Sequence, residues 1–142
     1  MQNVLLSLLY FYLAYVVVTL IGVLHTIFNV KVLHMKSMKE SKGMGEAYNA
    51  TKPWHPLYNL IVFPIFGYFY LSGVLNPTIE DAFITGALWT LIAIVIDYVG
   101  WILIKHPWRL TYKQFYVDYQ PWITIIYTLI FFGPIISFWL FF

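Results

Sequence analysis

The stretch AFITGALWTLIAIVIDYVGWILI, residues 82–104, decides the fold class of this chain. Asp97 is its one charged residue, and about 20 apolar residues in a helix cross the hydrocarbon core of a bilayer. Apolar and polar residues do not alternate along it, as they would in a strand of a membrane β-barrel. The stretch therefore predicts a transmembrane α-helix.

Three further stretches have a similar composition, at about residues 4–30, 56–75 and 122–142. The chain has 142 residues, of which 61% are hydrophobic and 10% are charged, whereas about a quarter of a soluble domain is charged. We expect an all-α integral membrane protein whose partner is the lipid bilayer. Its single domain, residues 1–142, would contain four transmembrane helices.

The basic residues predict the orientation of these helices. All eight lie between the first and second or between the third and fourth predicted helices: Lys31, Lys36, Lys39, Lys42, Lys52, Lys105, Arg109 and Lys113. Loops rich in lysine and arginine stay in the cytoplasm. We therefore expect loops 31–55 and 105–121 to be cytoplasmic and both termini to lie outside, in a bacterial or archaeal plasma membrane.

The composition also excludes several kinds of site. The chain has no cysteine, which excludes disulfides, thiolate metal sites and cysteine nucleophiles. No pair of histidines has the spacing of a helical zinc site, so we expect no metal and no cofactor. A net charge of +2 is too small to indicate a nucleic-acid partner.

The two halves of the chain resemble each other in design. A shift of 72 residues aligns His25 with Asp97, and a shift of 68 aligns Pro53-Trp54 with Pro121-Trp122. This pattern predicts two parallel helix-pair pseudo-repeats. Separate use of the same interfacial residue types explains the pattern equally well.

Asp97 indicates a ligand site in the cytoplasmic half of the bundle. A carboxylate inside a membrane costs several kcal/mol unless it is paired or faces water. Because Asp97 and His25 lie about 12 and 9 Å from the predicted cytoplasmic boundary, we expect them to pair. Tyr98 and Trp101 add aromatic rings that could hold an organic cation, and Arg109 adds a positive charge nearby. The alternative for Asp97 is a structural hydrogen bond between helices.

Polar groups near the cytoplasmic surface suggest a different site. His55, His106 and Asp118 could act as acids or bases, with Arg109 binding a phosphate. Anchoring of the helices at the interface explains the same residues without catalysis.

A short interfacial helix is expected between the third and fourth membrane helices. Trp108, Tyr112, Phe115 and Tyr119 recur at helical spacing, which predicts a helix over about residues 110–119 with one aromatic face. It would cover the cytoplasmic end of the bundle.

Three functions fit these patterns. The first is binding or transport of a small hydrophobic, amphipathic or cationic ligand around Asp97 and His25. The second is an enzyme that acts on a lipid head group, and the third is an accessory or immunity-type subunit without a site of its own. Whether the chain is an enzyme is left open, and a small-residue patch at Gly67, Ser72 and Gly73 suggests a homodimer.

Overall fold

The computed structural model describes residues 3–41 and 43–142, and within these ranges all regular structure is helical. The helices are α1 (Val4–Lys31), α2 (Glu46–Thr51), α3 (His55–Ser72), α4 (Ile79–Asp97), α5 (Tyr112–Tyr116) and α6 (Trp122–Phe141). A 3₁₀ turn, Lys52–Trp54, joins α2 to α3, and a π-helical segment, Tyr98–Leu103, continues α4. The all-α prediction is confirmed.

Among the described residues, three helices are long and apolar enough to cross a membrane: α1, α4 with its π segment, and α6. This agrees with a membrane protein. α3 has 18 residues but is not one of the three, because polar groups such as His55 and Asn59 interrupt its apolar sequence. Large apolar side chains also face outward, as Leu5 and Leu24 on α1 illustrate, with 79% and 65% of their surface exposed.

A short helix lies between α4 and α6, where the sequence predicted one, but it is shorter than expected. It forms as α5, because the Thr111 side chain accepts from Gln114 N and the Gln114 side chain accepts from Thr111 N. This reciprocal cap fixes the first turn at Tyr112. Trp108 therefore precedes the helix and Tyr119 follows it.

Glycines set the close approach of the long helices. A Cβ added to Gly86 on α4 would lie 2.1 Å from the carbonyl oxygen of Phe131 on α6. A Cβ added to Gly67 on α3 would lie 2.9 Å from Cα of Pro134. Small residues allow membrane helices to pack with their backbones in contact. Gly67 is thus buried between α3 and α6 within the chain, so it offers no free surface for the expected dimer.

The four long helices form a ring in the order α1, α3, α6, α4. α3 packs extensively against α1 and α6, and α6 against α4, whereas α1 and α4 close the ring with few contacts. Two hydrogen bonds join α1 to α4: Trp89 Nε1 donates to Ser7 Oγ at 2.9 Å, and the Tyr15 hydroxyl donates to Asp97 Oδ1 at 2.5 Å. Both pairs are 82 residues apart, so α1 and α4 are parallel with a constant register.

This register leaves the end of α1 without α4 beside it. The π segment that continues α4 ends at Leu103. With the offset of 82 residues between α1 and α4, Leu103 lies level with Ile21 on α1. The last ten residues of α1, Gly22–Lys31, extend about 15 Å further. There Asn29 Nδ2 donates to Ala47 O and to Thr51 Oγ1, at 3.1 Å each, which ties α1 to α2. The alignment of His25 with Asp97 that suggested a repeat differs from this register.

Candidate functional site

A cavity of about 420 Å³ lies between α1, α3, α6 and the end of α4. Its α1 wall is one continuous stripe at helical spacing: Tyr15, Val18, Thr19, Gly22, Val23, Thr26, Ile27, Val30 and Lys31. The cavity exists because the π segment that continues α4 ends level with Ile21, while α1 continues to Lys31. Ser37–Lys39 and residues between Trp108 and Tyr119 cover it at the end of the bundle where α1 terminates, called here the basic end.

Asp97 lies at the closed end of the cavity. The residue is 7% exposed, and its carboxyl accepts hydrogen bonds from Tyr15 on α1, at 2.5 Å, and from Tyr127 on α6, at 2.8 Å. Trp101 Nε1 donates to the Tyr15 hydroxyl at 3.1 Å. Hydrogen bonds of this kind offset the cost of burying a polar group. The carboxyl therefore connects α1, α4 and α6, as the structural alternative for Asp97 predicted.

Polar groups from α3 form the middle of the wall. His55 Nδ1 forms a hydrogen bond with the Tyr119 hydroxyl, and Asn59 Nδ2 donates to the His55 carbonyl at 2.7 Å. His55 Nε2 and Asn59 Oδ1 are buried with no hydrogen-bond partner in the described part of the chain. A buried polar atom without a partner costs about 1–3 kcal/mol, so these two atoms lower the stability of the folded protein.

Lysines surround the basic end of the cavity. Lys31 and Lys39 line it directly. Lys52 is 5% exposed, and its Nζ lies 5.3 Å from the centroid of the Tyr119 ring and 5.9 Å from that of Tyr48. Burial lowers the pKa of Lys52, while Asp118 acts in the opposite direction. Burial raises the pKa of Tyr48 to about 12, so this phenol is neutral at pH 7.

His25 does not pair with Asp97. Its Nδ1 forms a hydrogen bond with the Tyr58 hydroxyl. Its ring meets that of Trp54 edge-on, with the two ring centroids 6.0 Å apart. Among the described residues, no hydrogen bond or ion pair joins His25 to Asp97. The physical reason is the register: the partner of Asp97 is Tyr15, and His25 lies ten residues, about 15 Å, further along α1.

The other predicted ligand-binding residues separate into two groups. Trp101 lines the cavity beside Asp97. Tyr98 is 42% exposed and lies outside the cavity lining, and Arg109 is exposed with its Nε donating to the Ile102 carbonyl at 2.6 Å. Ligand binding by Tyr98 or Arg109 stays a prediction without support from this geometry.

The residues suggested for catalysis do not converge on one cleft. His106 Nε2 bonds to the Gly100 carbonyl at 2.8 Å, while its Nδ1 accepts from Trp108 N at 3.2 Å. The two ring nitrogens thus bind backbone groups, one within the π segment at Gly100 and one after it at Trp108. Asp118 forms an exposed ion pair with Lys113 at 2.8 Å. His55 alone of the three lines the cavity, so the geometry does not support the head-group enzyme.

Tyr127 and Asn59 were missed as site residues. Nothing in the sequence distinguishes Tyr127 from the other aromatic residues of α6. Asn59 did carry a signal, because a carboxamide within an otherwise apolar helix is costly unless it is satisfied.

In the described parts of the chain, no group of three or more histidine, aspartate and glutamate residues could hold a metal ion. No protein-family model, curated protein or solved structure matches this chain.

Proposed function

We propose that the chain crosses the membrane four times, with α3 as the fourth span and the basic end in the cytoplasm. Eighteen residues of α3 give a length of about 27 Å, close to the thickness of the hydrocarbon core. α3 packs between α1 and α6, and it exposes Leu60, Ile61 and Ile65 on its outer side. The gathering of lysines at one end supports the orientation.

We further propose that the protein is a binding or transport module for a small amphipathic ligand. The observation that carries this proposal is the cavity of about 420 Å³ in the half of the bundle near the basic end. Its volume lies in the range typical of small-molecule sites, about 300–1,000 Å³. Apolar side chains such as Val18 and Ile126 form much of its wall, with a few polar groups among them.

The position of the cavity suggests where the ligand comes from. α1 and α4 make few contacts, and beyond Leu103 no long helix continues α4 beside α1. A molecule in the cytoplasmic leaflet could enter there. In this proposal the Tyr15–Asp97–Tyr127 hydrogen bonds close the cavity toward the outer half, and Phe11 and Trp89 pack beyond them.

The experiment is native mass spectrometry of the protein extracted in a mild non-ionic detergent. Thr19→Trp fills the cavity from the α1 wall, and Leu20→Trp is the matched control on the outer face of the same helix turn. We expect a retained small molecule on the wild type and on Leu20→Trp, and its loss from Thr19→Trp.

Equal retention by both variants would contradict the proposed site. A wild-type protein that carries no small molecule but retains a stoichiometric protein partner would favour the accessory-subunit alternative.

A further inference from the structure

We propose that the ligand is an anionic amphiphile with a single hydrocarbon chain, whose acidic group contacts Lys31 and Lys39 while its chain lies along α1 toward Asp97. The inference rests on the proposed function, because it names the chemical class held by the same cavity. Carboxylate and phosphate head groups share the required chemistry, so a fatty acid and a lysophospholipid are both members of this class.

The charged residues at the basic end of the cavity favour one kind of head group there. Lys31 at the end of α1 and Lys39 in the following loop line the basic end. Lys52 adds a third ammonium beside Tyr48 and Tyr119, whose rings also line the cavity. A cationic head group at this end would meet like charges, whereas an acidic one would gain attraction from each lysine.

Asp97 does not offset this preference. It lies at the other end of the stripe, since Tyr15 and Lys31 are sixteen residues apart on α1, which is about 24 Å. Each of its carboxyl oxygens already accepts a hydrogen bond from a tyrosine. A cation at Asp97 would therefore have to share oxygens that Tyr15 and Tyr127 already occupy.

The shape of the cavity indicates a ligand with one chain. Its α1 wall is a single stripe of residues from Tyr15 to Lys31, and its volume of about 420 Å³ lies at the small end of the range for ligand sites, about 300–1,000 Å³. A cavity that follows a single helix stripe for about 24 Å also has the elongated shape of one extended chain.

The test compares probes that share a fourteen-carbon chain: myristate, 1-myristoyl lysophosphatidylglycerol, tetradecylamine and dimyristoyl phosphatidylglycerol. Binding to the purified full chain in non-ionic detergent is measured by native mass spectrometry and by thermal unfolding. We expect the first two probes to bind at least tenfold more tightly than tetradecylamine and than the two-chain lipid. The ratio between the first two tells whether a carboxylate or a phosphodiester head group is preferred.

Variants test the role of the lysines. The double substitution Lys31→Glu with Lys39→Glu should reverse the preference, so that tetradecylamine binds more tightly than myristate. The matched control is Lys105→Glu with Lys113→Glu. It changes the net charge of the protein by the same amount, but at two lysines that do not line the cavity. It should leave the wild-type order of the probes. Lys31→Gln with Lys39→Gln serves if the glutamate pair does not fold, and should weaken myristate binding about tenfold.

Each result has a separate meaning. Equal or tighter binding of tetradecylamine to the wild type would overturn the anionic assignment while leaving a ligand-binding cavity. Equal binding of the two-chain lipid would overturn the single chain. Failure of every probe, with a small molecule retained from the membrane, would overturn this inference alone. Failure of every probe with nothing retained would overturn the proposed function as well.

Discussion

The Tyr15 hydroxyl on α1 donates a hydrogen bond to Asp97 Oδ1 on α4 at 2.5 Å, with the same separation of 82 residues as the Ser7–Trp89 pair. This register determines both the closed end of the cavity and the length of α1 that extends beyond α4. Tyr127 on α6 completes the contact by donating to Asp97 Oδ2 at 2.8 Å. One carboxyl therefore holds three helices together at the end of the cavity.

Replacing Asp97 by leucine should destabilise the bundle, because two partly buried tyrosine hydroxyls lose their acceptor. At about 1–3 kcal/mol for each unsatisfied group, we expect a loss of roughly 2–6 kcal/mol for the two hydroxyls. Asp97→Asn keeps one carbonyl acceptor and should cost less. Unfolding by sodium dodecyl sulfate in mixed micelles measures the difference.

Tyr98→Leu is the control for Asp97, since Tyr98 is adjacent in sequence and 42% exposed. If Asp97→Leu were no more destabilising than Tyr98→Leu, Asp97 would not join the helices as described.

Gly86→Ala should separate α4 from α6. The added Cβ would lie 2.1 Å from the Phe131 carbonyl oxygen, so the helices must move apart, at a cost of about 1–3 kcal/mol for overpacking. Gly100→Ala is the matched control, because its added Cβ meets no atom within 4 Å. We expect a lower midpoint of thermal unfolding for the first variant and little change for the second. Equal midpoints would contradict the close α4–α6 contact.

His106→Ala should reduce stability without affecting ligand retention. His106 bonds to the Gly100 carbonyl and accepts from Trp108 N, so its removal should cost about 0.5–1.5 kcal/mol for each hydrogen bond. Its side chain does not line the cavity. Thermal unfolding and native mass spectrometry together test both statements. Loss of the retained molecule from a variant that still folds would revive a functional role for His106.

The fourth span can be tested with single cysteines, because the chain contains none of its own. Asn49 on α2 and Leu75 after α3 are both exposed and lie on either side of α3 in the chain. In intact cells, a membrane-impermeant maleimide should label Leu75→Cys, and it should label Asn49→Cys only after the membrane is permeabilised. Labelling of both from the same side would show that α3 does not cross.

The helices could be predicted from the sequence because apolar composition is a local property. The stretch 82–104 corresponds to Ile79–Leu103 in the structure, and α6 begins at the predicted residue, Trp122. The helix predicted over about residues 110–119 was too long. The aromatic periodicity extends to both sides of α5, whose first turn is fixed by the Thr111–Gln114 cap. The predicted span at 56–75 corresponds to α3, which is less apolar than the other three long helices because it contains polar residues such as Asn59.

The pairing of helices could not be predicted, because it depends on where each helix ends relative to its neighbours. Lys31 and Lys105 were taken to mark the same membrane boundary, which set His25 level with Asp97. In the structure α1 extends beyond α4 and packs against α2 through Asn29, so Tyr15 occupies that level instead. The cavity follows from this same extension and carries no separate sequence signal.

Photolabelling in membranes tests the central claim, a ligand inside the cavity, most directly. A photoreactive myristate analogue with a diazirine in the middle of its chain is added to membranes that contain the protein, and labelled residues are identified by peptide mass spectrometry. We predict labelling of Thr19, Val23 and Thr26, which line the cavity, well above Leu20 and Leu24 on the outer face of α1. We also predict that Thr19→Trp abolishes this preference. Equal labelling of both faces, or a pattern that Thr19→Trp leaves unchanged, would contradict a ligand in the cavity.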